Sequence, residues 1–137
     1  MMADSSDESE SQRLYLKGCH FMYQGDLERA RRYLRKSARL EPHHKTLQIL
    51  GECLQKMGRL SEAVVPLAAA VSLNPHPRSA ALLAQTFFAI SDFVNARKYA
   101  EITLVRMPHY RRIKDLLDLI KRAELDQLNQ TPPIELD

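Results

Sequence analysis

Residues 51–63 read GECLQKMGRLSEA. The same theme stands thirty-three residues earlier, GCHFMYQGDLERA over 18–30, and thirty-three later, AQTFFAISDFVNA over 84–96. Ala30, Ala63 and Ala96 end the three segments, and Pro42, Pro75 and Pro108 follow at one common distance. Gly18 and Gly51 share a column with Ala84, Gly25 and Gly58 with Ser91, and Leu27 and Leu60 with Phe93. A period between 20 and 50 residues marks a stack of small units, none of which can bury its apolar face alone.

Within each unit the apolar residues first fall at i, i+3 and i+7, the stripe of an amphipathic helix. Small residues at 18, 51 and 84 let a second helix come close, and Ala30, Ala63 and Ala96 answer them from that helix. Gly25-Asp26 and Gly58-Arg59 suit the turn between the two, where glycine accepts a positive φ. Ser61 has the chemistry of an N-cap for the following helix. Each proline closes a unit. Helices are expected at about 11–24, 27–41, 44–57, 60–73, 78–90, 93–106 and 110–128. Pro66, inside the fourth, lacks an N–H and should loosen or kink it.

These columns resemble the tetratricopeptide repeat (TPR) family, whose pattern is W-x2-L-G-x2-Y, then A-x3-F, then P, over 34 residues. The first repeat offers Leu14, Lys17, Gly18, Phe21, Ala30, Leu34 and Pro42. The second offers Leu47, Leu50, Gly51, Leu54, Ala63, Leu67 and Pro75, the third Ala80, Leu83, Ala84, Phe87, Ala96, Ala100 and Pro108. The period is one residue short, the Trp column is Leu, Leu and Ala, and Lys17 stands where an apolar residue is usual. The resemblance implies an all-α chain: a right-handed α-solenoid of antiparallel helix pairs, a TPR superhelix of about seven helices. Its expected layout is an acidic disordered tail over 1–10 and a TPR domain over 11–128. That domain comprises repeats at about 11–43, 44–76 and 77–109, a capping helix over 110–128, and a flexible C-terminal tail over 129–137 follows it.

Composition narrows the function. Hydrophobic residues make up 45% of 137, which argues against global disorder. No apolar run approaches the length of a transmembrane helix, and the acidic start MMADSSDESES shows no secretory signal. A cytoplasmic protein is the expectation. Cys19 and Cys53 form no CxxC and read as reduced thiols. All 20 Lys and Arg lie between Arg13 and Arg122, against nine acids in the same stretch, so a basic body sits between acidic ends. Such a body favours anionic partners. No Gly-rich phosphate loop, GxSxG or Cys–His–carboxylate arrangement is present, so neither enzymatic activity nor a cofactor is expected.

In the family the first helix of each repeat lines a concave binding face. Carried over by position, this implies a peptide-binding groove of Gln12, Tyr15, Cys19, Met22 and Tyr23 in the first repeat. Lys45, Gln48, Glu52, Gln55 and Lys56 follow in the second, Arg78, Gln85 and Phe88 in the third, and Lys114 and Lys121 on the cap. The face runs from apolar and aromatic to basic. It implies an adaptor for a protein or peptide ligand with apolar and acidic parts. Chaperone-binding TPR domains hold carboxylates with Lys, Asn, Asn, Lys and Arg. The matching positions here are Tyr15, Cys19, Ile49, Arg78 and Leu82, of which only Arg78 keeps the charge.

Other readings stand beside this one. Three-repeat chaperones of type III secretion are similar in size and style. Apolar end faces near Leu119 and Leu125 leave a homodimer open. Arg29, Arg31, Arg32, Arg35, Lys36 and Arg39 crowd one helix, and by their spacing fall on more than one side of it. They offer an alternative role as binder of an anionic polymer or membrane surface, although Tyr33 is the sole aromatic among them and nucleic acid is disfavoured. His43, His76 and His109 also share the period. Equivalent residues of successive repeats lie too far apart for one metal ion, so these are turn residues.

Overall fold

The structure, a computed structural model, describes residues 5–130. They form seven helices and, among the described residues, no strand: α1 (Ser5–Gln24), α2 (Leu27–Leu40), α3 (His44–Lys56), α4 (Leu60–Leu73), α5 (Pro77–Ala89), α6 (Phe93–Arg106) and α7 (Arg111–Gln130). Helix α1 begins six residues earlier than the periodicity indicates. An acidic stretch read as a tail by composition suits the positive end of a helix dipole. Helix α7 likewise runs on to Gln130. Residues 1–4 and 131–137 of the expected tails lie outside the described residues.

Helices α1 and α2, α3 and α4, and α5 and α6 form three hairpins, and α7 packs on α6 and α5. Each hairpin turns on the expected column: Gly25 has φ 81°, Gly58 φ 79° and Ser91 φ 64°. One residue on, Asp26 and Asp92 accept from the backbone N–H groups of Arg29 and Asn95 at 3.2 and 3.3 Å, capping α2 and α6. The same column in the second repeat is Arg59, which caps α4 with no side-chain bond. Ser61 lies inside α4, not at its N-cap, because the helix starts at Leu60. Nor does Pro66 divide α4, which runs unbroken from Leu60 to Leu73 with the proline ring buried.

Close approach sets each hairpin. A Cβ on Gly18 would stand 2.7 Å from Leu34 Cδ2, and one on Gly51 would run into Leu67 Cγ. The third repeat has Ala84 in this column, and Ala100 replaces the opposing leucine; both are fully buried. The third pair is smaller, two methyl groups standing where the other repeats have one isobutyl group. Leu34, Leu54, Leu67 and Leu83 centre one core cluster, and Ala84, Ala96, Ile113 and Ile120 the next, so the core runs the length of the stack. Each buried leucine contributes about 1.5–3 kcal/mol.

Along the stack the backbones of α1 and α3, of α3 and α5, and of α5 and α7 approach closely, whereas those of α2, α4 and α6 stay apart. The first helices are therefore the inner row of a curved stack. Lys17, the outlier in the apolar column, is exposed, with Nζ 5.4 Å from the centre of the Tyr33 ring.

Replacing Gly51 by Ala gains about 1 kcal/mol of helix propensity and loses about 1–3 kcal/mol to overpacking against Leu67. Gly51→Ala is expected to lower stability. In a Leu67→Ala background, which recreates the Ala84–Ala100 pair, the same change is expected to be neutral or stabilising. Urea unfolding of the four proteins measures the coupling; an equal penalty in both backgrounds would contradict the close approach.

Candidate functional site

The inner row carries three shallow hollows. The first lies where α1, α3 and α5 converge and is lined by Tyr15, His44, Lys45, Gln48, Ile49, His76 and Arg78. A second, towards α7, is lined by Glu52, Gln55, Lys56, Arg78, Ala81, Leu82, Gln85, Tyr110 and Arg112. Arg78 borders both. A third, at the α1–α3 edge, includes Ser11, Gln12, Tyr15, His43 and Lys45.

The fifteen residues placed on the groove by repeat position divide in the structure. Gln12, Tyr15, Lys45, Gln48, Glu52, Gln55, Lys56, Arg78 and Gln85 line these hollows. Met22 and Phe88 pack partly buried against the two core clusters, and Phe88 rests on Phe93 with ring centres 5.7 Å apart. Tyr23 points outward, 92% exposed. Cys19 borders none of the hollows and instead hydrogen-bonds the Tyr15 phenol. Lys114 and Lys121 are exposed on α7, outside the hollows.

Several groove residues already hold neighbouring repeats together. Ser79 Oγ donates to Gln48 Oε1 at 2.8 Å, and Gln55 Nε2 donates to Leu82 O at 3.1 Å and to the Thr86 hydroxyl. Arg78 Nη2 meets Glu52 Oε1 at 2.8 Å. Each neutral bond contributes roughly 0.5–1.5 kcal/mol net, and the half-exposed ion pair about 0–1 kcal/mol. Gln48 and Gln55 are thus hinge pins between α3 and α5. Lys45, Lys56 and Arg112 are exposed and form no ion pair among the described residues.

Two of the three histidines on the repeat period, His43 and His76, are helix caps. His43 Nδ1 accepts from the Lys45 N–H and His76 Nδ1 from the Arg78 N–H, both at 3.2 Å. This places His76 and its neighbour-in-space His44 at the rim of the first hollow, where sequence reasoning had only turn residues. The recurrent Pro-His step just before each inner helix was the available signal. His44 Nε2 lies 3.3 Å from Asn74 Nδ2, and desolvation, aided by His43, Lys45 and His76, lowers its pKa. Among the described residues no three His, Cys, Asp or Glu side chains are grouped to hold a metal ion. No described helix is long and apolar enough to cross a membrane.

Both thiols are free. Burial pushes both Cys19 and Cys53 upward, and Cys53 Sγ also donates to Leu27 O at 3.2 Å. Neither has the lowered pKa of a nucleophile.

Residues 21–86 match the tetratricopeptide repeat family. The repeat columns and the helix-pair stack carry the tetratricopeptide repeat fold beyond that segment, through the described residues. No curated protein matches it in sequence. Solved structures share the fold. The first TPR of Spaghetti (RPAP3), bound to the HSP90 peptide SRMEEVD, superposes with TM-score 0.81 at 19% identity, covering 85% of this chain and 94% of that one. The Sgt2 TPR domain from Aspergillus fumigatus gives 0.76 at 18%, covering 93% and 89%. The TPR2B domain of yeast Sti1, in a complex with pHsp70, gives 0.76 at 15%, covering 83% and 98%.

The Tyr15 phenol is pushed up to about 12, first by burial and then by its hydrogen bond to Cys19. A phenol harder to ionise in the folded chain stabilises the fold fully below its unfolded value near 10. That contribution is lost as pH rises from about 10 to about 12. Ultraviolet titration of wild type against Tyr15→Phe should show a missing step near 12; a missing step near 10 would contradict this environment.

Proposed function

We propose that this protein is an interaction adaptor that holds a peptide segment of a partner in its concave face, and that it performs no catalysis. One observation carries the reading: α1, α3 and α5 converge on a hollow with an apolar wall, Tyr15 and Ile49, beside two cations, Lys45 and Arg78. An apolar wall next to exposed cations suits a segment with apolar and acidic side chains. The neighbours bound to HSP90 and HSP70 peptides support peptide recognition by this architecture.

The ligand chemistry should differ from theirs. Tyr15, Cys19, Ile49 and Leu82 stand where chaperone-binding domains use Lys, Asn, Asn and Arg, and Arg78 is engaged by Glu52. A ligand carboxylate must compete with Glu52, while Tyr15 and Ile49 offer apolar contact. The favoured segment is accordingly more apolar than a tail clamped by four or five polar side chains.

Affinity capture of partners tests this. Lys45→Glu/Arg78→Glu reverses two exposed charges without touching the core and should reduce capture about ten-fold or more, roughly 1.4 kcal/mol or above. Lys98→Glu, exposed on α6, should not. Equal capture by all three proteins would remove the concave face as the binding surface.

A further inference from the structure

One column of the second helices reads Tyr33, Pro66, Tyr99, and the column facing it on the first helices reads Phe21, Leu54, Phe87. In the first repeat Tyr33 stacks on Phe21, ring centres 5.5 Å apart and planes 14° apart. In the third, Tyr99 stacks on Phe87 at 5.7 Å and 13°, and packs against the core that holds Leu67 and Leu83. The second repeat has no ring on either side. An open slot remains there between α2 and α4, whose backbones stay apart.

The slot is apolar along its floor and its α4 wall. Leu50 and Leu54 lie beneath it, and Pro66 and Val65 flank it, Val65 being 71% exposed. Its α2 wall is Arg31 and Arg35. The helical positions place these beside the rest of the basic run. Angles of 100° per residue bring Arg29, Arg32, Arg35, Lys36 and Arg39 within about a third of a turn. All five are exposed and form one outward stripe, while Arg31, the sixth of the run, is turned aside and only partly exposed. Arg29 pairs with Asp26 and Arg31 with Glu28, while Arg32, Arg35, Lys36 and Arg39 have no ion pair among the described residues. The one acid on the rim, Glu62, is already met by Arg59 at 3.2 Å.

We propose that this outer slot is a second docking site, which receives an aromatic side chain of a partner-protein segment whose flanking residues are acidic. The ring takes the place left by the tyrosine that Pro66 replaces, and the carboxylates meet Arg35 and the stripe beside it. A polynucleotide would find phosphate partners on the stripe but no use for the apolar floor. A flat bilayer would not reach a floor recessed between two helices. The site is on the opposite face from the concave groove and does not depend on it.

The test uses a short capped peptide with one Phe between Glu and Asp residues, the same peptide with Ser for Phe, and nuclear magnetic resonance titration of the full chain. Saturable shifts at Leu54, Val65 and Ala69 are expected, with affinity about ten-fold or more weaker for the Ser peptide. Pro66→Tyr restores the column, fills the slot and removes a helix-unfavourable residue, so it should fold and lose binding. Arg35→Glu, at an exposed position on the slot's edge, should weaken binding about ten-fold or more whatever the fate of Pro66→Tyr. Lys45→Glu on the inner row should leave it unchanged, which separates this site from the concave one. Absence of saturable shifts overturns the proposal, as does unchanged binding by Pro66→Tyr and Arg35→Glu. Binding of a single-stranded oligonucleotide or of phosphatidylserine vesicles in place of the peptide, unaffected by Pro66→Tyr, overturns it in favour of a plain anionic surface.

Discussion

Two helices can lie this close only where one of them gives up its side chain. Gly18 yields to Leu34 and Gly51 to Leu67, and in the third repeat Ala84 and Ala100 share the space between them. Everything else in the stack follows from that contact. It closes each hairpin, and it presents the leucines to the next repeat, so that the core is continuous from α1 to α7. The backbones of the first helices approach along the stack and those of the second helices do not. The stack bends, and the bend makes an inner wall that one helix per repeat can line and an outer wall with gaps between its helices.

Much of this could be read from the chain because the repeat period carries it. Columns 33 residues apart fixed the helix pairs, the small-residue contact and the turns, including Ser91 with φ 64° where the other repeats have glycine. Position in the repeat also put Tyr15, Lys45 and Arg78 on the inner wall, and they converge on one hollow. What periodicity could not supply was contact between repeats. Gln48 and Gln55 have the face of ligand-binding residues, yet their amides are spent on Ser79, Leu82 and Thr86, 27 to 31 residues away. Met22 and Phe88 are likewise drawn into the core by neighbours that a single helix does not reveal. His43 and His76 were visible as a period but not as caps, since an imidazole accepting from a backbone N–H depends on φ and ψ at the turn. Ser61 failed as a cap for the converse reason: the helix had already begun at Leu60.

Pro66 shows how a departure from the repeat is more informative than adherence to it. Read along the sequence, it is a helix breaker. In the structure the helix absorbs it, and its consequence is lateral, because the tyrosine ring present in the repeats on either side is missing. The inner and outer walls thus have different origins. The inner wall is the ordinary product of the stack, its chemistry set by Tyr15, Ile49, Lys45 and Arg78. The outer slot lies in the second repeat, where the aromatic pair of its neighbours is missing, beside a helix whose exposed face is a stripe of arginines.

The most direct measurement is lysine footprinting of the chain bound to a captured partner. Lys45 and Lys56 line the inner hollows, and Lys98 lies on the outside of α6; all three are exposed in the free chain. If the concave face is the working surface, acetylation of Lys45 and Lys56 falls on binding while Lys98 reacts as before. Protection of Lys98 with Lys45 and Lys56 still reactive would contradict the account.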